Sequence, residues 1–249
     1  MLATPTPTPG PDRSAALLLL SDGRLPAGGY AHSAGLEQAI ARGWVGDATT
    51  LGDYLRGRIH TTGLVSASFA AAAQHRTASA VEARDAGEAE DLAPLGAALA
   101  GLDRELVART PSPALRRIAR DLGRMLLRAM RSIAPSAQPV LDAAGPVLQQ
   151  PIAYGTVAAA LGLDARDAAG LVLYEAAATP AVAAVKLLSI DPFATHRCLA
   201  ELAPELDELA ERATAFAASD ARDLPALAAP LSDIAAELHT NHDQRLFAS

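Results

Sequence analysis

Leu115, Ile118, Leu122, Met125, Leu126 and Ala129 recur at steps of three and four residues, the spacing that stacks side chains on one face of an α-helix. Arg116, Arg117, Arg120, Arg124 and Arg128 fall mostly off that stripe, so the segment predicts a strongly amphipathic helix. No stretch shows sustained alternation of apolar and polar residues with β-branched enrichment, and no hairpin signal appears. Leu171 to Tyr174 would read as a strand in isolation, but its Ala-rich flanks keep helical spacing. The pattern predicts an all-α fold, a single helical domain of about ten helices.

The 249 residues are 50% hydrophobic and only 4% aromatic, so Leu, Ala, Val and Ile must fill the core. Ala-rich helices approach one another closely, which suits helix-on-helix packing. The net charge is −7. No basic face is visible in the sequence, and nucleic acid is therefore not expected as a partner, because neutralising phosphates requires clustered cations. Cys198 is the only cysteine; it excludes an intramolecular disulfide, fits a reducing compartment and reads as a buried small hydrophobe. The apolar run from Leu17 to Leu20 is too short for a signal-peptide core or a membrane span, so a cytoplasmic chain without a membrane partner is expected. Lys186 is the only lysine beside many arginines.

Residues 1–12, with their alternating Thr and Pro, predict a disordered lead. Residues 13–239 predict the helical domain and residues 240–249 a tail. Within the domain, Ala15 to Ser21 reads as a short helix. Another is expected from about Ser33 to Arg42. Thr49 or Thr50 is placed to cap a helix carrying Leu51, Tyr54, Leu55 and Ile59. Thr61, Thr62 and Gly63 predict a break, and Leu64 to Arg76 a further helix. The acidic, Ala-rich residues 79–92 fit either a solvated helix or a linker. Asp164 is expected to cap a helix ending near Thr179, with Pro180 opening the next one. Pro204 predicts a kink or split in the helix that starts at Asp191-Pro192.

Chemical motifs are sparse. The sequence has no G-x-x-x-x-G-K-[ST], G-x-S-x-G, H-E-x-x-H or C-x-x-C, so the phosphate cradle, nucleophile elbow and common metal pairs are missing. His239 and His242 could offer two imidazoles to a metal, which is short of a site. Ser33, His32 and Glu37 include the residue types of a hydrolase, but triads are assembled from separate elements rather than from neighbours. No catalytic residue, cofactor or resident metal is expected, and an interaction protein is favoured over an enzyme.

Two segments stand out. Leu25 to Glu37 reads LPAGGYAHSAGLE, a Pro/Gly loop running into a helix that Ser33 could cap. The chain finishes Arg245-Leu246-Phe247-Ala248-Ser249, where a large aromatic and a leucine follow an arginine. That tail fits two roles equally: docking on the chain's own core, or ordering when a partner binds.

These same residues carry a family resemblance. LPAGGYAHSAGLE resembles the N-terminal signature of the UreF family of urease accessory proteins. His239, Arg245, Leu246, Phe247 and Ser249 match its C-terminal pattern H-x5-R-L-[FY]-x-S. Tyr154-Gly155, Ala158, Ala159 and Leu161-Gly162 resemble a middle block. Departures are Gln150, where many members have His, together with Ala34 and Ala248. The resemblance implies an all-α, homodimeric, non-enzymatic scaffold that binds a UreD/UreH-like protein and recruits the GTPase UreG. Through that complex it would support nickel insertion into apo-urease. It also implies partner-binding roles for Tyr30, His32, Ser33, Gly35, Glu37, Lys186, His239, Arg245, Leu246, Phe247 and Ser249. Among these, Arg245 would contact Tyr30, and Lys186 would influence GTP hydrolysis. A different reading is a helical metallochaperone that binds nickel itself through His239 and His242.

Overall fold

The computed structural model describes residues 12–239, without the side chains of Tyr30 and His239. The expected N-terminal lead therefore lies outside the described residues save for Asp12, and the tail 240–249 lies wholly outside them.

Eleven α-helices and no strand occur among the described residues. In chain order they are α1 (Arg13–Ser21), α2 (Leu36–Ala41), α3 (Ala48–Arg58), α4 (Leu64–Asp85), α5 (Ala93–Ala108) and α6 (Pro113–Ile133). There follow α7 (Gln138–Ala144), α8 (Gln150–Ala160), α9 (Ala165–Leu187), α10 (Pro192–Thr214) and α11 (Pro230–His239). The all-α expectation holds.

The centre is α4, which packs against α8, α9, α10 and α5. Ala70, Ala71, Ala72 and Ala73 are all fully buried on it. Small side chains on every face let neighbouring helices close in from several sides. Polar groups inside this centre are satisfied locally. Ser68, Thr77 and Thr156 donate to carbonyls one turn back, and Gln74 Nε2 donates to the Leu163 carbonyl at 2.8 Å. One apolar cluster lies around α4, α5, α6, α7 and α8, and a second around α2, α3, α9 and α10, with α4 and α9 contributing to both. Cys198 is buried in the second.

Several local features differ from the sequence expectations. The cap of α3 is Asp47, not a threonine; Thr50 is its reciprocal partner in a capping box. No break occurs at residues 61–63. The chain passes through a π-helical turn, Ile59–Gly63, directly into α4, and Thr61 Oγ1 donates to the Gly57 carbonyl at 2.7 Å. The ambiguous stretch 79–92 divides into the last turns of α4 and a short connection to α5.

Pro180 does not open a helix but sits inside α9, which is continuous from its Asp164 capping box to Leu187. A proline removes the N–H that would bond the carbonyl four residues back. That carbonyl belongs to Ala176, and Arg58 Nε donates to it at 3.0 Å. A guanidinium from α3 thus replaces the missing amide, which a reading of α9 alone could not show. Likewise Pro204 lies within an unbroken α10, and there Ala200, whose carbonyl loses its amide, is exposed. Helix α9 is the one described helix long and apolar enough to cross a membrane; here it packs against α4, α8 and α10.

Candidate partner-docking site

The glycine loop is built by backbone angles that its sequence permits. Gly28 has φ +87° and precedes a single 3-10 turn, Gly29–Ala31. Gly35 has φ +85° and stands at the start of α2, so the helix begins at Leu36, later than the expected Ser33. Left-handed φ is open to glycine at little steric cost. Space is also tight at Gly28, because an added Cβ would come 2.8 Å from Met125 Cε.

The loop is pinned to the body at one atom in particular. The carbonyl of Ala34, itself at φ +53°, accepts from Tyr54 Oη at 2.8 Å and from Arg58 Nη1 at 3.2 Å. Arg58 therefore joins three things: the motif loop, the π-helical turn that follows it in sequence, and the carbonyl that Pro180 leaves unbonded. Replacing it by alanine leaves the part-buried Ala176 carbonyl without this donor, a loss at the lower end of the roughly 1–3 kcal/mol that an unsatisfied buried acceptor costs. Arg58→Ala is expected to lower stability by that order in urea denaturation; a change within error would contradict the clamp.

Under the loop lies a cavity of about 200 Å³, lined by Gly29, Arg58, Gln150, Tyr154 and Glu175 on one side and by Ser232, Asp233 and Ala236 of α11 on another. Glu175 and Tyr154 are its strongly perturbed groups. Gln150 Nε2 donates to Glu175 Oε1 at 2.8 Å, and a Cβ on Gly29 would sit 3.3 Å from the same oxygen. Burial pushes the Glu175 carboxyl up to about 7, although the Tyr154 hydroxyl, Gln150 and the Arg58 charge all pull it down. Tyr154 is shifted well upward by its own burial and by the neighbouring carboxylate.

The expected site residues fall into separate groups. Ser33, just ahead of α2, is fully buried, and its Oγ accepts from the Glu37 amide of the first turn at 3.4 Å. His32 and Gly35 line the cavity, and His32 and Glu37 are half-buried. The backbone of Tyr30 lies in the 3-10 turn. Lys186 is elsewhere, exposed in the last turn of α9, some 16 Å along the helix from Glu175 at 1.5 Å per residue. The His239 side chain, His242, Arg245, Leu246, Phe247 and Ser249 lie outside the described residues, as therefore does the nickel-binding pair. Among the described residues no group of three or more His, Cys, Asp or Glu side chains could hold a metal ion.

Arg58, Gln150 and Glu175 emerge only from the folded arrangement. A lone Glu in an Ala-rich run and an Arg at a helix end both resemble solvated charges. Gln150, noted as a departure, proves to be the donor to Glu175.

The C-terminal helix completes the site. Helix α11 packs against α2 and α6, burying Ala235 and Ala236. Glu237 accepts from Ser112 Oγ and, at 2.9 Å, from the Ala114 amide, so α11 is fastened at the N-terminus of α6. The helix that follows the glycine loop and the helix that leads into the tail thus touch, although they lie at opposite ends of the chain.

The molecule is an all-helical protein whose distinctive construction is a locked glycine loop beside its C-terminal helix. The family model for UreF matches residues 45–203. The urease accessory protein UreF of Mycobacterium marinum is 39% identical over 235 residues, covering 94% of this chain and 98% of that protein. Its counterpart in Mycolicibacterium vanbaalenii is 39% identical with the same coverage, and that of Mycobacterium tuberculosis H37Rv is 36% identical over 235 residues. The chain belongs to the UreF family of urease accessory proteins.

Proposed function

We propose that this protein is a non-enzymatic cytoplasmic scaffold for urease maturation. It binds a UreD/UreH-like protein, recruits a UreG-like GTPase as a homodimer, and supports nickel insertion into apo-urease through that complex. The observation that supports the reading is the packing of α11 against α2, which sets the last described helix beside the helix that follows the glycine loop. Arg245 then pairs with Tyr30, a contact suited to a guanidinium that can donate to a phenol oxygen or stack on its ring. Leu246 and Phe247 supply apolar anchors, His32, Gly35, Glu37 and His239 frame them, and Ser249 ends the segment. Lys186, exposed on a different part of α9, serves the GTPase. Nickel is cargo in this scheme, and no residue here is asked to hold it.

Deletion of residues 245–249 tests the reading. Assembly with the UreD-like protein is expected to be lost, while the isolated chain keeps its melting temperature. Unchanged assembly would overturn the role given to the tail.

A further inference from the structure

The exposed side of α6 carries a row of arginines. Arg117, Arg120, Arg124 and Arg128 are all exposed and follow at steps of three and four residues. They extend about 16 Å along the helix at 1.5 Å per residue. Two of them form ion pairs: Arg120 reaches Asp103 at 3.7 Å with 53% of its side chain exposed, and Arg124 reaches Asp121 at 2.9 Å with 60% exposed. Arg117 has the more distant charge of Glu237 on α11. The sequence sets these arginines off the apolar stripe, and the fold turns that stripe toward α8, leaving the arginines outward as a basic face that the composition had not suggested. This face is unusual in a chain of net charge −7.

Its position is informative. Met125, partly exposed between Arg124 and Arg128 in the helix, packs at Gly28 of the glycine loop. At the other end, Arg116 and Arg117 lie close enough to Glu237 of α11 to lower its pKa. The row therefore runs from the C-terminal helix past the motif loop.

We infer that Arg117, Arg120, Arg124 and Arg128 form a docking surface for an acidic protein segment. Arginine forks bind carboxylates in a bidentate, planar fashion, and a row spaced at helical intervals matches Asp or Glu side chains repeated along a partner. The rest of the molecule, being acidic, repels a long polyanion, which favours a short carboxylate-bearing segment over nucleic acid. Two copies of this chain cannot meet through this face symmetrically, since like charges would oppose.

The test uses the full chain and a fluorescein-labelled oligoglutamate peptide, read by anisotropy at low and high salt. The wild type is expected to bind in a salt-sensitive manner. The quadruple variant R117Q/R120Q/R124Q/R128Q is expected to lose about tenfold or more in affinity with an unchanged melting temperature. A charge-matched control, R42Q/R104Q/R197Q/R212Q, removes four other exposed arginines and is expected to bind as the wild type does. Equal losses in the two variants, or no binding by the wild type, would overturn the proposal. Tighter binding to single-stranded DNA or to phosphatidylserine vesicles than to oligoglutamate would overturn it as well.

Discussion

Gly155→Ala is expected to destabilise this protein by about 3 kcal/mol or more, because α4 and α8 meet there backbone to backbone. A Cβ at Gly155 would lie 2.1 Å from the Ala70 carbonyl oxygen and 2.9 Å from both Ala73 Cβ and the Gln74 amide. Neither side can yield easily. Ala70 and Ala73 are fully buried, and the amide and carbonyl belong to the helical ladder of α4. Separating the helices would open the core of the first apolar cluster. For a domain of this size a loss of that magnitude lowers the melting temperature by roughly 10 °C. Gly101→Ala in α5 is the control: nothing lies within 4 Å of its added Cβ, and replacing an open helical glycine with alanine stabilises by up to about 1 kcal/mol. Thermal melts of both variants decide the matter. Equal melting temperatures for the two would contradict the close crossing of α4 and α8.

The second large effect is a pH dependence centred on Glu175. Its carboxyl titrates near its ordinary 4.5 when unfolded and at about 7 when folded. Between those values the folded state holds the extra proton, so stability falls as pH rises and the full penalty is present above 7. The shift corresponds to about 3 kcal/mol at 1.36 kcal/mol per pH unit. Glu175→Gln keeps an acceptor for Gln150 and removes the ionisation. The variant is expected to match the wild type near pH 4 and to exceed it in stability at pH 8 by up to about 3 kcal/mol. Parallel stability curves for the two proteins between pH 5 and 8 would show that Glu175 is not held in its neutral form.

These two sites differ in how far the sequence could reveal them. Helix α6 was legible, since its apolar stripe and its arginines occupy different faces. Helix α4 is enclosed by small residues only in its first half, which reads as helix; its last turns, beyond Thr77, are half-exposed, acidic and Ala-rich, a composition that fits a linker equally well. Pro180 misled for a physical reason: local rules end a helix at proline, whereas Arg58, more than a hundred residues earlier, supplies the donor that keeps α9 intact. The glycine loop was recognisable by its residues, but its attachment through the Ala34 carbonyl was not. Gly155 was noted only as half of a Tyr-Gly pair, and the pressure on it comes entirely from α4. Glu175 was invisible as a perturbed group because burial is a property of its surroundings. The recurring lesson is that patterns along one helix are readable from its own residues, and fail where a distant side chain or a packed neighbour intervenes.

We propose that this member of the UreF family acts as a scaffold rather than as a catalyst or a metal carrier. Co-purification of the full chain with the UreD-like and UreG-like proteins of its own organism, sized by light scattering, tests that claim most directly. A stable assembly containing two copies of each protein is expected. Failure of the chain to associate with either partner would contradict it.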